Sequence, residues 1–364
     1  MIRIAAGAAL FWLGCGLWID RIRRRAPRLP DPLPDPPPTT ILLPVRDEAR
    51  HLVACLATLG EQGAVAIRVV DDGSTDATPA LLAECAAADP RIEAISAPPP
   101  PERWTGKVNA LAAGLPGVAT PWVLLTDADT RHAPALLARA HAAAAEHRLD
   151  ALSLAGSQEA RGCGENLLTP AVFALLDALL GDWRAHATGG SATALANGQY
   201  FLVRTAALEA AGGFAAIVGQ PLDDVALARA LRAAGFRTGF RPAPAALRTR
   251  MYQGFVETFR GWRRNLALLL AGRTSIVAVL LGLALLAVAV PIVLAVAGDG
   301  SAALIAWLGG VAGSYLVRRS SRNPGLAAFC FPLDLVALAA TATVATVDRR
   351  RGRLASWRGR VVGP

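Results

Sequence analysis

Two carboxylates one residue apart, Asp127 and Asp129, follow the apolar run "WVLLT" at 122–126. A hard divalent ion, Mg2+ or Mn2+, uses such a pair and completes its shell with diphosphate oxygens. Its chemistry would be stabilisation of a departing diphosphate. The plain alternative is a polar turn that ends a buried strand. A second pair, Asp71 and Asp72, closes the apolar run "AIRVV" in "VVDDGSTDAT". There Gly73 permits a sharp turn, and Ser74, Thr75 or Asp76 can cap the next helix. Capping does not account for the two carboxylates, which could accept hydrogen bonds from a base N–H or from ribose hydroxyls. A third pair, Asp223 and Asp224, enters an amphipathic segment that ends near Gly235. Acids in a first helical turn complement the helix dipole. A carboxylate within reach of an acceptor hydroxyl would instead serve as a general base.

The cations are as selective as the acids. Lys107 is the only lysine in the chain and follows Thr105 and Gly106 at an expected helix start. Helix N-terminal N–H groups beside an ammonium suit a phosphate or its sugar, against the reading of an ordinary solvated lysine. Arg260, Trp262, Arg263 and Arg264 in "ETFRGWRRN" fit either a basic collar beside a membrane or a diphosphate-binding role. The five cysteines are dispersed, without CxxC or Cys/His spacing, which argues against a disulfide framework or a zinc site.

These residues need a scaffold, and the apolar pattern between 39 and 273 supplies one. Strand-like runs at 40–45, 66–70, 91–96, 122–126 and 150–156 alternate with helical stretches near 48–59, 76–87, after 105 and at 134–146. Near-continuous apolar strands separated by helices predict an α/β fold, a mostly parallel sheet covered by helices. In such sheets ligands bind at the carboxyl ends of strands, where the strand order reverses. Arg46 and Glu48, Asp71 and Asp72, and Asp127 and Asp129 all follow strands, so they converge on one edge. "ANGQYFLVRTAALEAAGGF" (196–214) adds a Gly-containing turn, a strand and a short helix.

Outside this region the chain is apolar. Of the 364 residues 53% are hydrophobic, and the net charge of +9 is carried by arginines that cluster beside the apolar runs. Charge placed there reads as membrane-flanking rather than nucleic-acid-binding. Residues 1–20 form an expected transmembrane anchor and 21–39 a basic, Pro-rich linker, stiff and extended. Five arginines between 21 and 28, against Arg3 alone before the run, place the domain at 40–273 in the cytoplasm, on the inner face of a cell membrane. Residues 274–348 hold three further apolar segments, at 275–297, 302–317 and 326–347, and 349–364 is a basic tail. Pro332 and Asp334 interrupt the last segment, consistent with a re-entrant or interfacial path. The stretch "LLTPAVFALLDALL" (167–180) is apolar nearly all round, as core or as an interfacial helix presenting a lipid.

Taken in order from about 40 to 265, these residues resemble the family 2 glycosyltransferases with the A-type nucleotide-sugar fold. The resemblance implies an inverting transfer from a nucleotide diphosphate sugar, with uridine diphosphate the expected carrier. It places Pro44, Arg46, Glu48 and Asp71 or Asp72 around the nucleotide. It makes Asp127 and Asp129 the DxD motif, with Asp129 on the ion and Asp127 on the ion, sugar or ribose. It matches Asp224 to the second acid of a paired-acid motif, hence the catalytic base. The family's Gln/Arg-x-x-Arg-Trp motif is altered here, since Arg260-Gly-Trp262-Arg263-Arg264 ends in arginine. The layout, with an anchor before the domain and apolar segments after it, is similar to the branch that glycosylates membrane lipids, including ceramide-, carotenoid- and hopanoid-associated enzymes. Two rivals are a nucleotidyltransferase acting on a sugar phosphate and a non-catalytic membrane scaffold. The first usually opens on a Gly-rich phosphate loop, and "ILLPVRDEA" has no glycine.

Overall fold

The computed structural model describes all residues except 65, 221, 271, 321–324, 353–355, 358–359 and 362–364. Much of the expected basic tail 349–364, including part of "SWRGR", therefore lies outside the described residues. The chain opens with a long helix, α1 (Ile2–Arg25), and continues β1 (Thr39–Val45), α2 (Leu52–Gly60), β2 (Ala66–Asp71), α3 (Thr78–Ala88) and β3 (Ile92–Ser96). Next come α4 (Gly106–Gly114), β4 (Trp122–Thr126), β5 (Thr130–His132), α5 (Leu136–Glu146), β6 (Ala151–Ala155) and β7 (Ser157–Gln158). Then follow α6 (Cys163–Leu180), α7 (Trp183–Ala187), β8 (Tyr200–Arg204), α8 (Thr205–Ala210), α9 (Asp223–Ala233), β9 (Thr238–Pro242) and β10 (Leu247–Thr249). Four long helices follow, α10 (Gly254–Leu269), α11 (Thr274–Val296), α12 (Gly300–Ser320) and α13 (Leu333–Arg350), and then two short antiparallel strands, β11 (Ser356–Trp357) and β12 (Arg360–Val361).

Seven strands form one sheet in the order β3-β2-β1-β4-β8-β6-β9. All are parallel except β8, which runs antiparallel to both β4 and β6. The chain builds outward from β1 to β3 and then returns to place β4 on the other side of β1. The order thus reverses between β1 and β4, where a ligand crevice is expected in an open α/β sheet. Ile41, Leu42 and Leu43 of β1 and Leu124 of β4 are fully buried, because helices cover both faces. Burial of each such side chain contributes roughly 1.5–3 kcal/mol. This is the mostly parallel sheet expected from the apolar runs, with one antiparallel strand inserted.

Among the described residues four helices are long and apolar enough to cross a membrane: Ile2–Arg25, Cys163–Leu180, Thr274–Val296 and Gly300–Arg319. The segment expected at 326–347 is not among them. Its helix, α13, begins after Pro332 and buries Asp334, Thr341 and Asp348 against its neighbours. Asp334 accepts hydrogen bonds from Ser314 (2.9 Å) and from Arg318 Nη1 (3.0 Å), while Arg318 Nη2 donates to the Asn166 carbonyl (3.1 Å). A charge inside an apolar bundle persists when it is paired in this way. The helices α1 and α12 lie backbone against backbone, since a Cβ added to Gly16 would come 2.5 Å from the Gly313 carbonyl oxygen. Small residues at such a contact permit close helix approach.

The Pro-rich linker does not stand free of the domain. Arg139 donates to the carbonyls of Pro30 and Leu29, both at 2.9 Å, and the buried Arg241 donates to that of Arg28 at 3.2 Å. The strand edge and α5 thus strap the extended segment in place.

Candidate active site

The turn after β4 is held by its two threonines. Thr130 Oγ1 donates to the Asp127 carbonyl (2.7 Å), and Thr126 Oγ1 donates to the Gln199 carbonyl (2.7 Å) at the start of β8. The buried His132 ring lies 3.0 Å from Thr130 Oγ1 and 3.2 Å from Thr126 Oγ1, and burial pulls its pKa down to about 3, so it is neutral. This neutral web fixes the backbone from which Asp127 and Asp129 project.

The loop after β2 performs a different task. Asp71 accepts hydrogen bonds from the N–H and hydroxyl of Ser74 across the Gly73 turn, where Gly73 has φ of 72°. Ser74 Oγ accepts from the Asp47 N–H (3.0 Å), Asp47 accepts from the Thr75 N–H (2.7 Å), and Asp76 accepts from the Ala49 N–H (3.1 Å). The polar residues of "DDGSTDAT" therefore lock the loop after β1 to the loop after β2. Asp72 is buried and meets Arg46 Nη1 at 3.3 Å.

Pro44, Arg46, Glu48, Asp72, Lys107, Asp127, Asp129, Asp223 and Asp224 line one cavity of about 1910 Å3, together with Arg260, Trp262 and Arg264 of α10. Two of the expected site residues are not in its lining: Asp71, committed to Ser74, and Arg263, whose Nε lies 2.9 Å from Asp348. Trp262 is buried, its indole N–H 3.4 Å from Thr169 Oγ1 and its ring edge against Phe173 and Tyr252.

The acids differ in their surroundings. Thr105 caps α4 through a bond from the Val108 N–H (3.2 Å), which sets Lys107 in the first turn. Lys107 Nζ lies 2.6 Å from Asp127 Oδ1 and 3.7 Å from Asp223 Oδ2. Burial alone would lower its pKa, but Asp127 and Asp223 outweigh burial and raise it, so it stays charged. Asp129 Oδ1 is buried without a hydrogen-bond partner among the described residues. Burial pushes the Asp129 carboxyl up to about 7, with the charges of Asp127 and Glu48 adding to the shift. A buried, unpartnered carboxylate oxygen is costly unless a ligand completes it, and its hard oxygen chemistry fits Mg2+ or Mn2+. Among the described residues no group of three or more His, Cys, Asp or Glu side chains is arranged to hold a metal. An ion at Asp129, with or without Asp127, would therefore need oxygens from a ligand.

Asp224 is oriented by two backbone donors, Gly198 N–H to Oδ2 (2.8 Å) and Val225 N–H to Oδ1 (2.7 Å). Burial, reinforced by Asp223, lifts its pKa to about 6. Gly198 is the residue that the motifs did not single out. A Cβ there would fall 2.7 Å from Lys107 Nζ and within 3.8 Å of Asp127 and Asp224 carboxylate oxygens. The signal was present in "ANGQY" as a glycine before a strand, but its partners lie far away in sequence.

Residues 40–172 match the family model described as Glycosyl transferase family 2. No curated protein matches the chain. Among solved structures, the mannosyltransferase PcManGT from Pyrobaculum calidifontis, in complex with GDP-Man and Mn2+, is similar at 20% identity and a TM-score of 0.54. That match covers 96% of this chain and 98% of PcManGT. A 1–349 structure of TarS from S. aureus is 15% identical with a TM-score of 0.43, over 89% of this chain and 95% of that one. The PcManGT likeness shows a shared A-type α/β fold. The stretch that supplies every strand-end acid before the Asp223–Asp224 pair is therefore the part of the chain that matches the family 2 glycosyltransferase model, carried on an A-type α/β fold.

Proposed function

We propose that the chain is a membrane-bound, inverting glycosyltransferase that moves a sugar from a nucleotide diphosphate sugar to a lipid acceptor. The observation that carries this reading is that a single cavity joins two unlike ends. One end holds the strand-end acids. The other is largely apolar, walled by Phe173, Leu176 and Leu180 of α6, Trp183 of α7, Phe240 of β9 and Leu29 of the linker, with the Arg23–Asp177 ion pair set into the same wall. Sites for one small ligand usually occupy roughly 300–1,000 Å3, so about 1910 Å3 accommodates a donor and an acceptor together. The apolar end lies against α1 and α6, two of the helices long and apolar enough to cross a membrane. PcManGT, holding GDP-Man and Mn2+, supports a nucleotide sugar and a divalent ion at the polar end.

In this reading Pro44, Arg46, Glu48 and Asp72 surround the nucleotide, and Asp129, with Asp127, holds a Mg2+ or Mn2+ ion. That ion, when bound, neutralises charge on the leaving diphosphate. Asp224 takes the proton of the acceptor hydroxyl while the hydroxyl oxygen bonds to the anomeric carbon. The bond from that carbon to the diphosphate breaks with its electron pair on the diphosphate oxygen, inverting the centre. The two backbone bonds to Asp224 aim the carboxylate, and the apolar wall excludes competing water. With α1 as anchor and the arginines at 21–28 beside it, the domain faces the cytoplasm.

The test is to incubate membranes containing the protein with UDP- and GDP-linked sugars and Mg2+ or Mn2+, then to search the lipid extract by mass spectrometry. A lipid heavier by one sugar, absent with Asp224→Asn, is the expected result. Sugar transfer only to water or to soluble acceptors would overturn the lipid assignment.

A further inference from the structure

Lys107 is the chain's single lysine, and its ammonium bridges two motifs that lie about a hundred residues apart, 2.6 Å from Asp127 and 3.7 Å from Asp223. The bridge depends on Gly198, because any side chain there would begin 2.7 Å from Nζ. Five carboxylates, those of Glu48, Asp127, Asp129, Asp223 and Asp224, line the same end of the cavity. One of them, Asp129, points a buried oxygen at no partner among the described residues, while Asp127 is already held by the ammonium. Mg2+ and Mn2+ favour about six oxygen ligands, more than these two aspartates supply. The free protein thus presents an ion position with one open carboxylate and one carboxylate neutralised from within.

We propose that Lys107 is the resident cation of this acid cluster, a positioning residue that keeps Asp127 from a divalent ion until a nucleotide diphosphate arrives. The proposal rests on the reading of this end of the cavity as the site of a nucleotide diphosphate and an ion. The arriving diphosphate supplies the missing oxygens and an anionic partner for the ammonium, and Lys binds phosphate well as a point charge. Nζ then moves from Asp127 to a phosphate oxygen, and Asp127 becomes available to the ion. An ammonium and a divalent ion that share one carboxylate repel each other strongly at such distances. Ion and nucleotide therefore bind as a pair, and the ion alone binds weakly.

The test uses the full chain in detergent micelles, with Mn2+ binding followed by the electron paramagnetic resonance of the free ion, alone and with GDP or UDP. The wild type should bind Mn2+ weakly alone and tightly with nucleotide. Lys107→Met removes the charge at similar length and should tighten Mn2+ binding in the absence of nucleotide about tenfold, while the gain produced by nucleotide shrinks. Lys107→Arg keeps the charge and should stay close to the wild type. Gly198→Ala retains the lysine but displaces its ammonium, so it should shift ion-only binding in the same direction as Lys107→Met, by a smaller factor. This variant decides the matter if Lys107→Met does not fold. Unchanged ion-only affinity in both Lys107→Met and Gly198→Ala overturns the proposal. If the wild type binds neither nucleotide with Mn2+, the donor reading fails, while the ion-only titrations still report the role of Lys107.

Discussion

The two ends of the cavity are built by different means. The polar end is made of short loops that follow β1, β2 and β4, each carrying its acids within a few residues of a buried strand. Local hydrogen bonds fix them, as when Thr130 holds the Asp127 carbonyl and Ser74 answers Asp71. The apolar end exists only because distant helices meet. Arg23 of α1 pairs with Asp177 of α6 at 2.5 Å and also donates to the Val317 carbonyl of α12 at 2.6 Å, while Trp183 donates to Asp177 at 3.2 Å. In the proposed reading most strand-end acids sit where the chain is locally determined, and the acceptor's surroundings where it is assembled over long range. Changes at the two ends should therefore fail in different ways.

The largest effects belong to the polar end. Asp129→Ala and Asp224→Asn should each abolish measurable transfer, with losses of at least roughly 10²–10⁴-fold, while circular dichroism and detergent extraction stay as in the wild type. Retained turnover in Asp224→Asn would remove Asp224 from the role of base. Next comes the apolar end. Leu176→Trp should fill the wall and lower kcat/KM for the lipid by about tenfold to a hundredfold, with donor binding unchanged in a nucleotide titration. Equal losses for donor and lipid would mean that the two ends are not separate.

The pH profile sharpens the contrast further. Asp224, raised to about 6, must be ionised to accept a proton, so the rate should fall about tenfold per unit as pH drops below about 6. The stability effect has the opposite sign. A carboxyl whose folded pKa is raised stabilises the fold fully below its unfolded value and loses that contribution as pH rises through about 6. Activity should therefore fall by up to about tenfold between pH 6 and 5 without a drop in Tm from this group, and a coincident unfolding transition would point to loss of the fold instead. The smallest effect is expected at the strap. Arg139→Met removes two bonds to the linker carbonyls and should lower stability by about 1–2 kcal/mol. It should also speed proteolysis within 26–38 while leaving nucleotide binding intact.

Much of the polar end was legible in advance. The runs at 40–45, 66–70, 122–126 and 150–156 became β1, β2, β4 and β6 with ends shifted by one residue at most, because buried parallel strands demand continuous apolar side chains. The convergence of strand-end residues followed from parallel topology alone. Other features were not accessible. The helix expected from 48 begins at Leu52, since Asp47 adopts a positive φ of 52° and the loop is committed to Ser74 and Thr75. The antiparallel setting of β8 carries no local mark, as Tyr200–Val203 would be equally apolar in either direction. Arg263 and Arg260 share one short motif and lie about one helical turn apart, yet Arg263 is taken up by Asp348, brought to it by α13 from far along the chain, while Arg260 lines the cavity.

The sequence by itself determined the kinds of chemistry present and the scaffold that would gather them: acids behind buried strands, one lysine at a helix start, arginines beside apolar segments. Those properties depend on residue type and spacing, which act over a few residues. Only the tertiary structure decided the division of labour among chemically similar groups. It gave Asp127 to Lys107, left an oxygen of Asp129 without a partner among the described residues, aimed Asp224 through Gly198, and spent Asp71 on a turn. Identical carboxylates acquire different roles through burial and through partners brought from distant parts of the chain, and no spacing rule encodes those partners.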